Sequence, residues 1–200
     1  MKTGPQQPNP LPNSTPAGRG YDESLNYFHH ANDYWDQTDG STCSSTGKGN
    51  TSITDLWTNS GPAIGQNNSW ECSQSHQLPG CRYEDDIFGD ALLAQISAHD
   101  PATPMFLFWA PHVAHAPLEV PAAYLEKFSW IDKKTRGTYA AMINFIDTLA
   151  GKVVAALQAK GMWDNLLWVS SADNGGPICE CFFFFYFVSP TPTTGTSAPS

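Results

Sequence analysis

Charged side chains are scarce in this 200-residue chain. They make up 14%, and only 10 are Lys or Arg against 19 Asp or Glu, for a formal net charge of −9. So few cations cannot neutralise a track of phosphates, which excludes nucleic acid as a partner. They give no hold on an anionic membrane surface either. An acidic chain that handles an anion needs a local cation, such as a bound metal, to reverse the field. Long apolar runs are missing too. The largest apolar block, Phe182 to Val188, falls far short of the ~20 residues of a membrane span. The start, Met1-Lys2-Thr3-Gly4-Pro5 followed by Pro, Gln and Asn, has no apolar h-region of a signal peptide. There is no Gly-rich phosphate loop, no GxSxG elbow and no HExxH, which removes the chemistries those motifs carry. No cysteine pair has CxxC spacing, so a thiolate zinc site is not expected.

What is present is enough for one domain. Hydrophobic residues make up 40%, sufficient for a core. The cysteine count, 5, is odd. Cys72 and Cys81 frame a short Ser/Gln/His/Pro/Gly loop that a disulfide could close. Asn13, Asn50 and Asn67 head N-x-S/T sequons in polar loop sequence, where a glycan fits. Together these lean towards a secreted or lumenal glycoprotein.

Residues 1–17 read as loop, dominated by Pro, Asn, Gly and Ser. Tyr21 to Trp35 is aromatic-rich, a short helix or a strand and turn. Residues 36–82 read as a long irregular insertion. Asp85 is placed to cap a helix whose apolar face is Ile87, Phe88, Ala91, Leu92 and Ile96. His99-Asp100-Pro101 ends it. Met105 to Ala110 is a continuous apolar run, as expected of a strand buried on both faces. A long helix, roughly Thr138 to Lys160, follows from the spacing of Tyr139, Met142, Ile143, Ile146, Leu149, Val153 and Leu157, with Gly161 as its stop. Asn165 to Ser171 reads as a second buried strand. Strand, helix, strand is the unit of a parallel sheet covered by helices. In such sheets ligands gather beyond the carboxyl ends of the strands. Pro111 to Pro117 and Ala172 to Pro177 occupy those places.

Asp173 and Asn174 offer a carboxylate and an amide carbonyl, hard oxygens suited to calcium or magnesium. Asp-Asn-Gly-Gly is equally a tight turn. His115 can hydrogen-bond an anion or act as a general acid; as a lone loop histidine it can also be merely exposed, and the same holds for His112. His29 and His30 read as packing or surface. Glu84, Asp85 and Asp86 read as a solvated helix start favoured by the macrodipole.

Blocks along the chain resemble the sulfatase family, nearest its arylsulfatase B-like branch. They are Gly18-Arg19-Gly20-Tyr21-Asp22, Tyr34-Trp35, Phe106-Leu107-Phe108, His115-Ala116-Pro117-Leu118-Glu119-Val120-Pro121, Tyr139-Ala140-Ala141-Met142, Val153-Val154-Ala155-Ala156-Leu157, Gly161-Met162-Trp163-Asp164-Asn165 and Ser171-Ala172-Asp173-Asn174-Gly175-Gly176. The resemblance implies an alkaline-phosphatase-like α/β fold, a parallel or mixed sheet flanked by helices, here incomplete. It places a partial catalytic domain at 18–177 and leaves 178–200 as a low-complexity tail outside the family pattern. It implies calcium-dependent hydrolysis of a sulfate-ester small molecule or sulfated glycan, with His115 contacting the sulfate and Asp173 and Asn174 on the metal. The nucleophile of that family arises in a C/S-x-P-x-R motif, which these 200 residues lack. The family's N-terminal aspartate pair is missing as well. The chain by itself is therefore expected to be inactive, and poorly soluble when expressed alone because of unpaired sheet edges. A non-catalytic module binding sulfated glycans and a phosphodiesterase-like hydrolase of the same superfamily are the alternatives.

Overall fold

The structure, a computed structural model, describes residues 12–28, 32–39, 53–63, 70–74 and 78–175. The chain divides into two compact units, one ending at Asn165 and one beginning at Leu166. His29, His30, Asn50, Asn67, Gly176, Cys43 and the 178–200 tail lie outside the described residues.

The first unit opens with two 3-10 turns, Pro12–Ser14 and Ala17–Arg19. Asn13 sits on the first of these turns and is exposed. Short strands follow: β1 (Leu25–Asn26), β2 (Thr38–Asp39), β3 (Ile53–Thr54), β4 (Trp57–Thr58) and β5 (Gly61–Pro62). They pair antiparallel, β1-β4-β5 in one sheet and β2-β3 in another. The 36–82 stretch is thus pinned at its described ends by β-ladders and by a short helix, α1 (Trp70–Gln74). Cys72 and Cys81 are bonded, with Cα atoms 5.5 Å apart.

Two longer helices build the core. α2 (Glu84–Ala98) begins after Tyr83, which makes no side-chain cap, and ends at His99. Asp85 does not cap it. It lies in the first turn with Glu84, and both are fully buried. The expectation of a solvated acidic start fails here because the side chains are claimed by groups distant in sequence, as described below. A four-residue helix, α3 (Ala122–Leu125), precedes α4 (Lys134–Ala159). In α4, Met142, Leu149, Val153 and Leu157 are buried, joined by Phe145, while Tyr139 and Ile143 are exposed. At its end Gly161 takes φ +69, its N–H donates to Gln158 O and the Met162 N–H donates to Leu157 O. This pair of hydrogen bonds is the Schellman closure that a left-handed glycine permits. By length and composition α4 could cross a bilayer, yet its buried stripe packs into this unit's own core.

That core has two clusters. Tyr34, Trp35, Cys72, Tyr83, Val113, Val120, Ala141, Met142, Phe145 and Leu149 form one; Leu92, Ile96, Val153 and Leu157 form the other. Met105, Leu107 and Trp109 pack on the second cluster. The alternate residues Phe106 (77% exposed) and Phe108 (57%) face away. The 105–110 run is therefore extended with only one face covered, not buried on both, and it carries no strand pairing among the described residues. An apolar run cannot by itself report how many faces are covered.

In the second unit, 166–171 forms no helix and is likewise unpaired among the described residues. Leu167 is 86% exposed and Val169 77%. This overturns the expectation of a buried strand. A buried parallel strand needs neighbours at its edges and helices on its faces, and the described residues of this unit, 166–175, form neither.

Candidate functional site

The site is built on the loop that follows the 105–110 run. Asp85 reaches across from α2 and accepts the N–H groups of His112 (3.0 Å) and Val113 (3.2 Å) on its two carboxylate oxygens. Two such bonds to a buried carboxylate fix the loop's entry. The His115 N–H closes a turn onto His112 O at 3.0 Å. The Tyr34 hydroxyl then donates to His115 O at 2.9 Å. The loop also holds two cis peptide bonds, Val113–Ala114 and Ala116–Pro117. It is thus clamped at its start by Asp85 and at its tip by Tyr34.

The clamp is aromatic as well as polar. Tyr34 stacks on the His112 ring (4.1 Å, 15°) and on Tyr83 (5.0 Å, 10°). The Tyr83 hydroxyl donates to Glu119 O at 2.7 Å, so the far side of the loop is tied to the same stack. His112 is only 3% exposed, a correction to its reading as an open loop histidine. Its Nδ1 lies 3.6 Å from Glu84 Oε1. Burial raises the pKa of Glu84 well above the usual carboxylate range, with Asp55 and Asp33 adding repulsion. Asp85 is pushed up to about 7, first by burial and then by the neighbouring Glu84, against the favourable pull of His112. Glu119 is also raised to about 7, chiefly by burial. Both tyrosine hydroxyls are raised by burial and by these acids.

His115 itself is exposed. Its Nδ1 lies 2.8 Å from Ala116 O. A carbonyl can only accept, so Nδ1 is the protonated nitrogen in that bond and Nε2 is left to face a ligand. To donate to an anion's oxygen, Nε2 must carry a second proton, so the ring must be the imidazolium. The arrangement can therefore present one cationic N–H donor from a backbone held on both sides.

Asp173 and Asn174 lie in the second unit and are both exposed. In the orientation that satisfies its neighbours, the Asn174 amide nitrogen donates to Asp173 Oδ1 (2.9 Å) and Gly175 O (3.0 Å). Gly175 takes φ +72, the left-handed turn that this glycine permits. The pair supplies two hard oxygens. No group of three or more His, Cys, Asp or Glu side chains suited to a metal occurs among the described residues. Calcium takes about six to eight oxygens, so these residues alone do not fit the ion.

Sequence reasoning missed Tyr34, Tyr83, Glu84, Asp85 and Glu119 as parts of the site. The one available signal was an acidic triplet placed directly after an aromatic residue in a chain otherwise poor in charge.

The sulfatase family profile matches residues 2–195. Mouse arylsulfatase J (Mus musculus) is 33% identical over 99 residues, covering 47% of this chain and 17% of that protein. N-acetylgalactosamine-6-sulfatase of Rattus norvegicus is 31% identical over 80 residues, covering 40% of this chain and 14% of that protein. The chain thus spans less than a fifth of the length of these relatives. Among solved structures, the crystal structure of Ps i-CgsB in complex with k-i-k-neocarrahexaose superposes with a TM-score of 0.59 at 22% identity, over 78% of this chain and 33% of that one. Likeness at that identity establishes the fold, the alkaline-phosphatase-like architecture, of which this chain carries a part. With a profile match over nearly its whole length, the chain belongs to the sulfatase family.

Proposed function

We propose that this chain supplies the sulfate-recognition part of a sulfuric ester hydrolase of arylsulfatase type, with His115 as the sulfate contact. The observation that carries the reading is the clamped loop: an exposed imidazole whose Nδ1 is fixed on Ala116 O and whose backbone is fixed by Tyr34 and Asp85. A donor held in place before the anion arrives loses little freedom on binding it. The substrate class is a sulfate ester, and a sulfated glycan in particular; Ps i-CgsB, which shares the fold, was solved with a neocarrahexaose. Sulfatases generally use a metal ion. Asp173 and Asn174 are the proposed calcium ligands of this stretch, and further oxygens would have to join them. A cation held there would supply Lewis-acid chemistry; nothing in the role of His115 depends on it.

A lumenal or secreted setting fits the Cys72–Cys81 bond and the exposed Asn13 sequon. The 200 residues contain no C/S-x-P-x-R motif, so binding, and not turnover, is what this polypeptide should display.

The test is an NMR titration of the histidine ring resonances with sodium sulfate. At pH 5.5 the His115 signals should shift saturably, with a Kd on the order of 10 mM. His115→Ala should abolish the response, and an aryl sulfate should not turn over. Sulfate that leaves the His115 ring unmoved at pH 5.5 would sink the reading.

A further inference from the structure

A second concave site lies in the first unit and shares no residue with the His115 clamp. It is a cavity of about 340 Å³ between the turn at 15–17, the β1 flank and the β4-β5 hairpin, with Asn26, Phe28, Trp57, Asn59 and Ser60 among its lining residues. That volume sits at the low end of the ~300–1,000 Å³ typical of small-molecule sites. None of its lining residues is charged, in a chain with 10 basic and 19 acidic residues. An ionic ligand would find no counter-charge there. A purely apolar ligand would strip water from carboxamides and hydroxyls without replacing their hydrogen bonds.

The walls are set before any ligand enters. The Trp57 indole N–H donates to Asp55 Oδ1 at 2.9 Å, and the other Asp55 oxygen accepts the Phe28 N–H at 2.9 Å. The two rings stand 5.8 Å apart at 56°. One buried carboxylate thus fixes the Trp57 ring and the Phe28 backbone. Asn59 donates to the Asp22 carbonyl at 2.7 Å and accepts from Ser24 Oγ at 2.5 Å, which ties the hairpin to the β1 flank. The Asn26 carboxamide makes no hydrogen bond among the described residues and lines the same space. A fixed indole, a second ring and an unused amide that both donates and accepts match one ligand chemistry. That chemistry is an uncharged ring with an apolar C–H face and a hydroxylated edge.

We propose that this cavity is a binding subsite for a neutral glycosyl unit, with Trp57 as the stacking platform and Asn26 as the hydrogen-bonding group. The site stands independently of sulfate recognition at His115; only the choice of a galactan probe leans on that reading.

The probe is chemically desulfated carrageenan hexasaccharide, added to the 200-residue chain while the Trp57 indole ¹H–¹⁵N resonance is followed. The resonance should shift saturably, with a Kd on the order of 1 mM. Asn26→Ala and Trp57→Phe, which keep the ladder and a ring, should each weaken binding by about fivefold or more, with the Thr58 and Asn59 backbone amides followed in the Trp57 variants. Trp57→Ala should weaken it further, and His115→Ala should leave it unchanged. No saturable Trp57 shift up to 20 mM probe, or equal binding by wild type, Asn26→Ala and Trp57→Phe, overturns the proposal. Hexasaccharide binding without any sulfate response at His115 would support this site while removing the sulfate reading; the converse would do the opposite.

Discussion

Asp85 defines the site more than any exposed residue does. Its carboxylate is desolvated, yet it accepts two backbone N–H groups from a loop 27 and 28 residues away in sequence. Asparagine in its place can accept at one oxygen only and turns an N–H₂ towards the other donor. Asp85→Asn should therefore cost about 2 kcal/mol, and Tyr34→Phe about 1 kcal/mol through the lost bond to His115 O. Because both grip one short loop, their effects should not add; a double-mutant cycle in urea should show coupling of about 0.5 kcal/mol or more. Strict additivity would mean that the entry and the tip of the loop are held separately. Little of this was legible in the sequence. A helix-start acidic triplet obeys the macrodipole rule whether or not it is buried, and nothing local reveals that its partners lie beyond the next turn-rich segment. His115 and the Asp173-Asn174 pair stood out for a different reason, since their residue types alone suit an anion and a hard cation. The sequence could not show that Asn174 donates back to Asp173.

The elements divide in the same way. Both long helices could be read from their 3.6-residue period and their stops, because those signals are local: Gly161 and the apolar stripe of α4 needed no knowledge of the rest of the chain. Partner-dependent features were not legible. The 105–110 and 166–171 runs look alike in composition, yet one covers a helical cluster with alternate residues and the other is exposed throughout its described length. The glycines of the helices give a contrast that can be measured. Gly151 on α4 has open space where a Cβ would sit, whereas a Cβ on Gly89 of α2 would come within 2.7 Å of Leu149 Cδ1. Gly151→Ala should stabilise by about 0.5–1 kcal/mol through helix propensity alone. Gly89→Ala carries the same propensity gain, but must displace a buried leucine where the two helices cross, so it should be neutral or destabilising by about 1 kcal/mol. Equal gains from both substitutions, in parallel thermal melts, would mean that the α2–α4 crossing is looser than these distances describe.

For the molecule as a whole, the dominant electrostatic fact is negative charge that burial does not relieve. The chain carries a net charge of −9. Two of its acids, Glu84 and Asp85, lie in the core beside His112 and Glu119 is half-buried, with no Lys or Arg paired to any of the three among the ion pairs of the described residues. Folded Asp85 and Glu119 keep their protons up to about pH 7, and Glu84 is shifted in the same direction. In the unfolded chain such groups release protons near pH 4. Between those limits the folded state binds more protons than the unfolded state, so stability must fall as pH rises through the window from about 4 to about 7. Above it the full penalty of buried negative charge is present. General self-repulsion acts in the same direction, since lowering the pH moves the net charge towards zero. The melting temperature should therefore be higher at pH 5.5 than at pH 8, by on the order of 5 °C. Asp85→Asn, although less stable at pH 5.5, should flatten that slope, because its side chain no longer has a proton to lose. A melting temperature that climbs from pH 5.5 to pH 8, or a slope that Asp85→Asn leaves untouched, would show that these acids are not desolvated in solution as they are beneath the His112 loop.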